Sequence, residues 1–293
     1  MNRKLLTSLT VLAAAAALTA CGGGDDGDAT LRVQFNGLED LGATSVYEGW
    51  MVVDGTPVTT GRFTINSAGK PSQTDFIVPR AQADRATAFV LTIEPATGDV
   101  PAASNQHLLA GDFNSARTSA PLSIGHAAAF GNDFSSARGS FFLATPTSAS
   151  TTDDDQGIWF IDPSSGTMQA GLTLPALPTG WVYEGWVVVN GKPVSTGRFS
   201  SAMGADSDAG GPAAGPLGAP PFPGQDFINP ATKLPGGMAV ISIEPQPDNS
   251  AAPFTLKPLL NSNIANAVGD RNLQTLTNQA RANAPTGTVS IIR

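Results

Sequence analysis

The 293-residue chain holds one cysteine, Cys21, and two histidines, His107 and His126. A single cysteine excludes internal disulfides and thiolate-rich metal sites, so the fold must be held by packing. Basic residues are also few: 16 Lys and Arg stand against 24 Asp and Glu, a formal charge of −8. Nucleic-acid binding draws its affinity from clustered Lys and Arg, so no nucleic-acid partner is expected. Low charge combined with 32 Gly and 23 Pro fits many short strands joined by turns better than a helical bundle.

The amino terminus has a charged start, Arg3-Lys4, then the apolar run Leu5 to Ala17 and Leu18-Thr19-Ala20-Cys21. That order predicts a secretory signal peptide over residues 1–20. Its apolar core of roughly a dozen residues is shorter than the ~20 that a spanning helix needs. Leu18-Thr19-Ala20-Cys21 also resembles the bacterial lipobox, which implies diacylglycerol on the Cys21 sulfur, cleavage before it and acylation of the new amine. The expected mature protein is anchored to a membrane through Cys21 and does not span it. Residues 21–30, rich in Gly and Asp, read as a flexible acidic tether. Gly22 stands where some Gram-negative lipoproteins carry an inner-membrane retention Asp. The resemblance favours the outer membrane in a Gram-negative cell and otherwise the outer face of the plasma membrane.

An internal duplication organises the rest. Tyr47-Glu-Gly-Trp-Met-Val-Val-Asp-Gly-Thr-Pro-Val-Thr-Thr-Gly-Arg-Phe63 returns as Tyr183-Glu-Gly-Trp-Val-Val-Val-Asn-Gly-Lys-Pro-Val-Ser-Thr-Gly-Arg-Phe199, identical at 13 of 17 positions. Asp75-Phe76-Ile77 matches Asp226-Phe227-Ile228, and Val90 to Pro95 matches Val240 to Pro245. Late in each copy, Gly139 to Leu143 parallels Gly287 to Ile291. The offset between copies grows across residues 201–225, a Gly, Ala, Pro and Ser stretch that reads as a loop insertion. Two tandem domains are expected, at 31–150 and 151–293, joined near the polar segment Thr145 to Gly157. Runs of Val, Ile, Phe and Trp bounded by Gly, Pro and Asn make both all-β, and two Greek-key-like β-sandwiches are predicted.

Asp54-Gly55 and Asn190-Gly191 are hairpin signals, since these residues tolerate the positive φ of tight turns. A three-residue loop would set Val53 opposite Pro57 and, by the same register, Glu48 opposite Arg62. The second copy repeats this with Glu184 and Arg198. Cross-strand ion pairs worth about 0.2–1 kcal/mol at a surface are therefore expected.

Tyr-x-x-Trp (Tyr47, Trp50; Tyr183, Trp186), Gly-x-Pro-Val-x-x-Gly-x-Phe (Gly55 to Phe63; Gly191 to Phe199) and Ile-Glu-Pro (Ile93 to Pro95; Ile243 to Pro245) together resemble the carboxy-terminal, extracytoplasmic domain of anti-sigma-K-type factors. The resemblance covers most of the mature chain, twice over, and implies a β-sandwich and a cell-envelope location. It does not imply sigma-factor binding, which in that family resides in a cytoplasmic amino-terminal region joined by a membrane helix.

No residue pattern selects a catalytic centre. The two histidines fall in the first copy without counterparts in the second, and no spacing pairs an acid with a base. Asp25-Asp26-Gly27-Asp28, Asp153-Asp154-Asp155 and Asp206-Ser207-Asp208 lack the twelve-residue pattern of an EF-hand loop, and read as tether and loops. Trp50, Trp159 and Trp186 read as core anchors, whereas Trp181, beside the turn at Pro178 to Gly180, is the candidate exposed aromatic. No cofactor or metal is expected. The leading expectation is a non-catalytic binding or structural lipoprotein, with the membrane and an envelope protein as partners and the 201–225 insertion as the contact segment. An envelope-stress sensing module is the alternative that the resemblance supplies; a hydrolase of envelope polymer is the third and least supported.

Overall fold

Strict alternation builds the first strand. In β1 (Asp28–Asn36) Ala29, Leu31 and Val33 are buried, while Asp28, Arg32 and Gln34 face solvent, the period-2 pattern of a strand covered on one side. The computed structural model describes residues 27–247 and 250–293; the expected signal peptide, Cys21 and most of the tether lie outside the described residues.

From β1 the chain continues through β2 (Ser45–Val53), β3 (Thr56–Phe63), β4 (Asp75–Pro79), the short helix α1 (Arg80–Ala83), β5 (Ala86–Pro95), β6 (His107–Asp112), β7 (Ser119–Ser123) and β8 (Arg138–Leu143). The second half holds β9 (Gly157–Trp159), β10 (Ile161–Asp162), β11 (Gln169–Ala170), β12 (Leu172–Thr173), β13 (Trp181–Val189), β14 (Lys192–Phe199), β15 (Gly224–Asp226), β16 (Met238–Pro245), β17 (Leu259–Asn261), β18 (Gln274–Asn278), α2 (Ala280–Asn283) and β19 (Thr286–Ile292). The protein is all-β, with two antiparallel sheets that each curl until nearly closed. The first runs β3-β2-β5-β6-β7-β19-β1-β4 and the second β14-β13-β16-β17-β18-β8-β9-β15, with β12 also pairing β8. At the seam of the first, side chains replace ladder bonds: the Phe63 and Phe76 rings lie 6.1 Å apart. Gly61, at φ 129°, leaves room for Phe76, whose ring a Cβ would meet at 2.8 Å.

The sheets do not follow the sequence repeat. β8 and β19 are the equivalent last strands of the two copies, yet each lies in the other copy's sheet. β8 sits between β18 and β9, and β19 between β7 and β1, so each body is completed by a strand from the other copy. The first body therefore combines residues 27–136 with 286–293, and the second holds most of what lies between.

Both central hairpins turn on two residues rather than three. Asp54 (φ 50°) with Gly55 (φ 80°), and Asn190 (φ 51°) with Gly191 (φ 74°), give the left-handed pairs of a tight hairpin. Val53 thus pairs with Thr56, one residue off the three-residue register. A bulge between Gly49 and Trp50 then restores the offset, and Glu48 lies opposite Arg62. A matching irregularity between Glu184 and Trp186 sets Glu184 opposite Arg198.

One apolar core runs through both bodies. Where they meet, Trp181 packs against Phe130 at 4.6 Å and Phe254 at 6.0 Å between ring centroids. Trp181 is 5% exposed, so the expectation of an exposed aromatic is corrected: the turn before it holds the ring in the inter-body seam. Polar contacts border the seam, including Thr255 Oγ1 to Gly37 O at 2.9 Å and Asn278 Nδ2 to Phe134 O at 2.9 Å.

Candidate functional site

The central strands carry a buried polar strip on their outer faces. Along β2, Tyr47, Gly49 and Met51 point into the barrel, which leaves Glu48 and Trp50 on the other side. Glu48 is only 4% exposed. Arg62 Nε donates to its Oε2 at 2.6 Å, and Thr59 Oγ1 donates to Oε1. Asp99, from the loop after β5, closes on the far side of the guanidinium. Beside them, Trp50 Nε1 donates to Thr92 Oγ1 at 2.9 Å, and Thr92 hydrogen-bonds the carboxylate of Glu94.

The second copy repeats the arrangement. Arg198 Nε reaches Glu184 Oε2 at 2.9 Å, and Ser195 Oγ donates to Oε1 at 2.5 Å. Trp186 Nε1 donates to Ser242 Oγ at 2.8 Å, and Ser242 hydrogen-bonds Glu244. Glu94 and Glu244 each also accept a backbone N–H at 2.9 Å, from Ser104 and Phe254. One sequence reading changes here: the ion pairs have buried carboxylates rather than surface ones. Trp50 and Trp186 are buried core residues, at 4% and 2% exposed, and each also donates its indole N–H to a buried hydroxyl. The matched Thr92 and Ser242, hydroxyls set between apolar neighbours just before Ile-Glu-Pro in both copies, were the available signal for this strip.

The insertion makes the two copies differ. Over the second strip opens a cleft of about 830 Å³. Glu184, Ser195 and Arg198 line it together with Ser207 and Asp208 of the insertion and Ser250 and Ala251. The insertion is tied down as a strap rather than hanging as a free loop. Arg198 N donates to Ser207 Oγ at 3.1 Å, and Ser207 N returns a bond to Arg198 O at 2.8 Å.

Asp226 is the hub beneath the strap. It is fully buried and accepts from Thr147 N at 2.8 Å, Thr147 Oγ1 at 2.5 Å and Trp159 Nε1 at 2.8 Å. Thr147 in turn accepts from Gly215 N at 2.8 Å, inside the insertion. Burial pushes the Asp226 carboxyl upward against those hydrogen bonds. Its sequence counterpart, Asp75, is instead a surface residue in a two-bond pair with Arg32 at 2.7 and 2.8 Å.

Near the cleft, the Asp206 and Asp208 carboxylates both crowd Gly197, whose φ is 104°. Burial, reinforced by Asp208, pushes the Asp206 carboxyl up to about 7. The Asp153 to Asp155 cluster is satisfied within the protein: Thr145 and Ser148 hydroxyls bond Asp153 at 2.8 and 2.7 Å, and Lys233 bonds Asp155 at 2.6 Å. Both histidines belong to the first body, where His107 Nδ1 lies 2.8 Å from Ala128 O and His126 Nε2 lies 3.3 Å from Asp112. Among the described residues, no cluster of three or more His, Cys, Asp or Glu is placed to hold a metal ion.

No family model, curated protein or solved structure matches the chain. The motif residues that resemble the anti-sigma-K extracytoplasmic domain are mostly framework here: Tyr47 stacks on Phe63 at 5.5 Å, Tyr183 on Phe199 at 5.8 Å, and both tryptophans are buried.

Proposed function

We propose that this protein is a lipid-anchored cell-envelope binding module without catalytic activity, whose second body receives a partner in the cleft above Glu184 and Arg198. The single observation that carries the reading is that the insertion found only in the second copy brings Ser207 and Asp208 beside the Glu184, Ser195 and Arg198 strip, where together they line a cleft of about 830 Å³. A charged and hydroxyl-rich lining that includes Glu184, Arg198, Ser195, Ser207 and Asp208 suits a polar segment of an envelope protein. Anchoring through Cys21 follows from the lipobox resemblance and would hold the cleft near the membrane. The motif resemblance supports a second reading, in which the same cleft relays envelope stress to a separate membrane protein.

The test is chemical crosslinking in cells of the wild-type lipoprotein beside Ala251→Trp, which fills the cleft from an exposed position. A discrete protein adduct that Ala251→Trp abolishes supports the reading; an adduct pattern unchanged by it counts against the cleft.

A further inference from the structure

We infer that the outer face of β4, β1 and β19 is a membrane-contact surface that rests on the phospholipid bilayer holding the anchor; this rests on the reading of Cys21 as the lipidated residue.

Thr30 in β1 pairs with Ile77 on one side and Ile292 on the other. Directly opposed residues on neighbouring strands share a face, so Ile77, Thr30 and Ile292 form one row. Their neighbours Ala29 and Leu31 point into the barrel, which puts the row outside. Ile77 is 67% exposed and Ile292 45% exposed, two large apolar side chains in water on adjacent register positions. Of the acids beside the row, Asp75 is held by Arg32 at 2.7 Å and Asp84 by Arg293 at 2.6 Å, while Asp28, on the same face of β1, is exposed at the end nearest the anchor. The second body has no matching row. Ile228, the counterpart of Ile77, is partly covered and donates its N–H to Ala213 O at 2.8 Å in the strap; Ala144 stands at the counterpart of Ile292.

Position supplies the occupant. Thr30 is the third residue of the strand that the tether enters, and Asp28 is seven residues from Cys21. Seven residues span at most about 25 Å fully extended, and a Gly-rich chain of that length averages about 15 Å end to end. A surface held that close to headgroups meets them at a high effective concentration, so two isoleucines suffice where they would not recruit a free protein. The apolar row thereby gives the first body a fixed orientation toward the membrane.

The experiment uses the full lipidated protein in vesicles of phosphatidylethanolamine and phosphatidylglycerol. Ile77→Cys, Ile292→Cys and Met203→Cys are each labelled with an environment-sensitive fluorophore, the thioether on Cys21 leaving the introduced thiol as the labelling site. Met203, 80% exposed in the second body, is the reference. The inference expects blue-shifted emission at 77 and 292 with at least twofold quenching by nitroxide-bearing lipids, and water-like emission at 203. Water-like emission at all three positions, with palmitate shown on Cys21, overturns this inference and leaves the anchor intact. Absence of palmitate on Cys21 overturns the anchor, and this surface with it.

Discussion

Thr30 pairs with Ile292, which sets the first described strand of the protein against its last. The strand that closes the first body is therefore made after the whole second body. Deleting residues 286–293, or introducing Val289→Asp at a fully buried position, removes that closure. Val289→Asp buries an unpaired polar group and is expected to cost ~3 kcal/mol or more. Hydrogen exchange should show lost protection in β1 and β7, which flank β19, while β13 and β16 stay protected.

Arg62 covers a carboxylate that is almost wholly buried. Arg62→Met leaves Glu48 with the Thr59 hydroxyl and is expected to destabilise by about 2–4 kcal/mol, well above a surface pair. Glu48→Gln added to Arg62→Met should recover part of that loss, because it removes the stranded charge. Urea unfolding of the two single variants and the double variant gives the coupling energy directly.

Asp226→Ala removes the acceptor for three donors from Thr147 and Trp159. A loss of roughly 3 kcal/mol is expected, because buried donors are left unpaired. The loss should first appear as protease cleavage within 201–223, the strap that Thr147 holds. Asp75→Ala, at the equivalent but exposed site, should leave the strap intact.

Asp206 gives the strap a pH dependence of defined sign. Its folded pKa is raised to about 7 against an ordinary value of 3.8. Stability from this group is thus full below pH 4 and is lost as pH rises through 7. Because the group is partly solvated, the change is expected to be on the order of 1 kcal/mol. Relative to the intrinsic exchange rate at each pH, protection of residues 201–223 should be higher at pH 5.5 than at pH 8, and Asp206→Asn should abolish most of that difference in protection.

The sequence made the repeat, the strands and the hairpin positions legible because each is written in local pattern. The Glu48–Arg62 apposition was also readable, though through a compensation: a tighter turn and a bulge shift the register in opposite directions. The exchange of β8 and β19 was not readable. Both strands carry the same signature, so either body accepts either strand by pattern, and chain geometry decides. Trp181 was misplaced because a turn beside a residue says nothing about a second body packing over it. Asp75 and Asp226 match in alignment but part in structure, one on the surface with Arg32 and the other beneath the strap. The extent of the insertion also changes meaning: Gly224 and Gln225 belong to β15, which pairs with β9, so deleting 201–225 would damage the sheet as well as the cleft.

The central claim is that the second body holds the partner site. Its most direct test places a photo-crosslinking residue at Ala251 beside the cleft and, in a separate protein, at Gly55 on the hairpin tip of the first body, both in living cells with Cys21 unaltered. A single protein adduct from position 251 and none from position 55 is the predicted result. Equal adducts from both positions, or an adduct from position 55 alone, would contradict it.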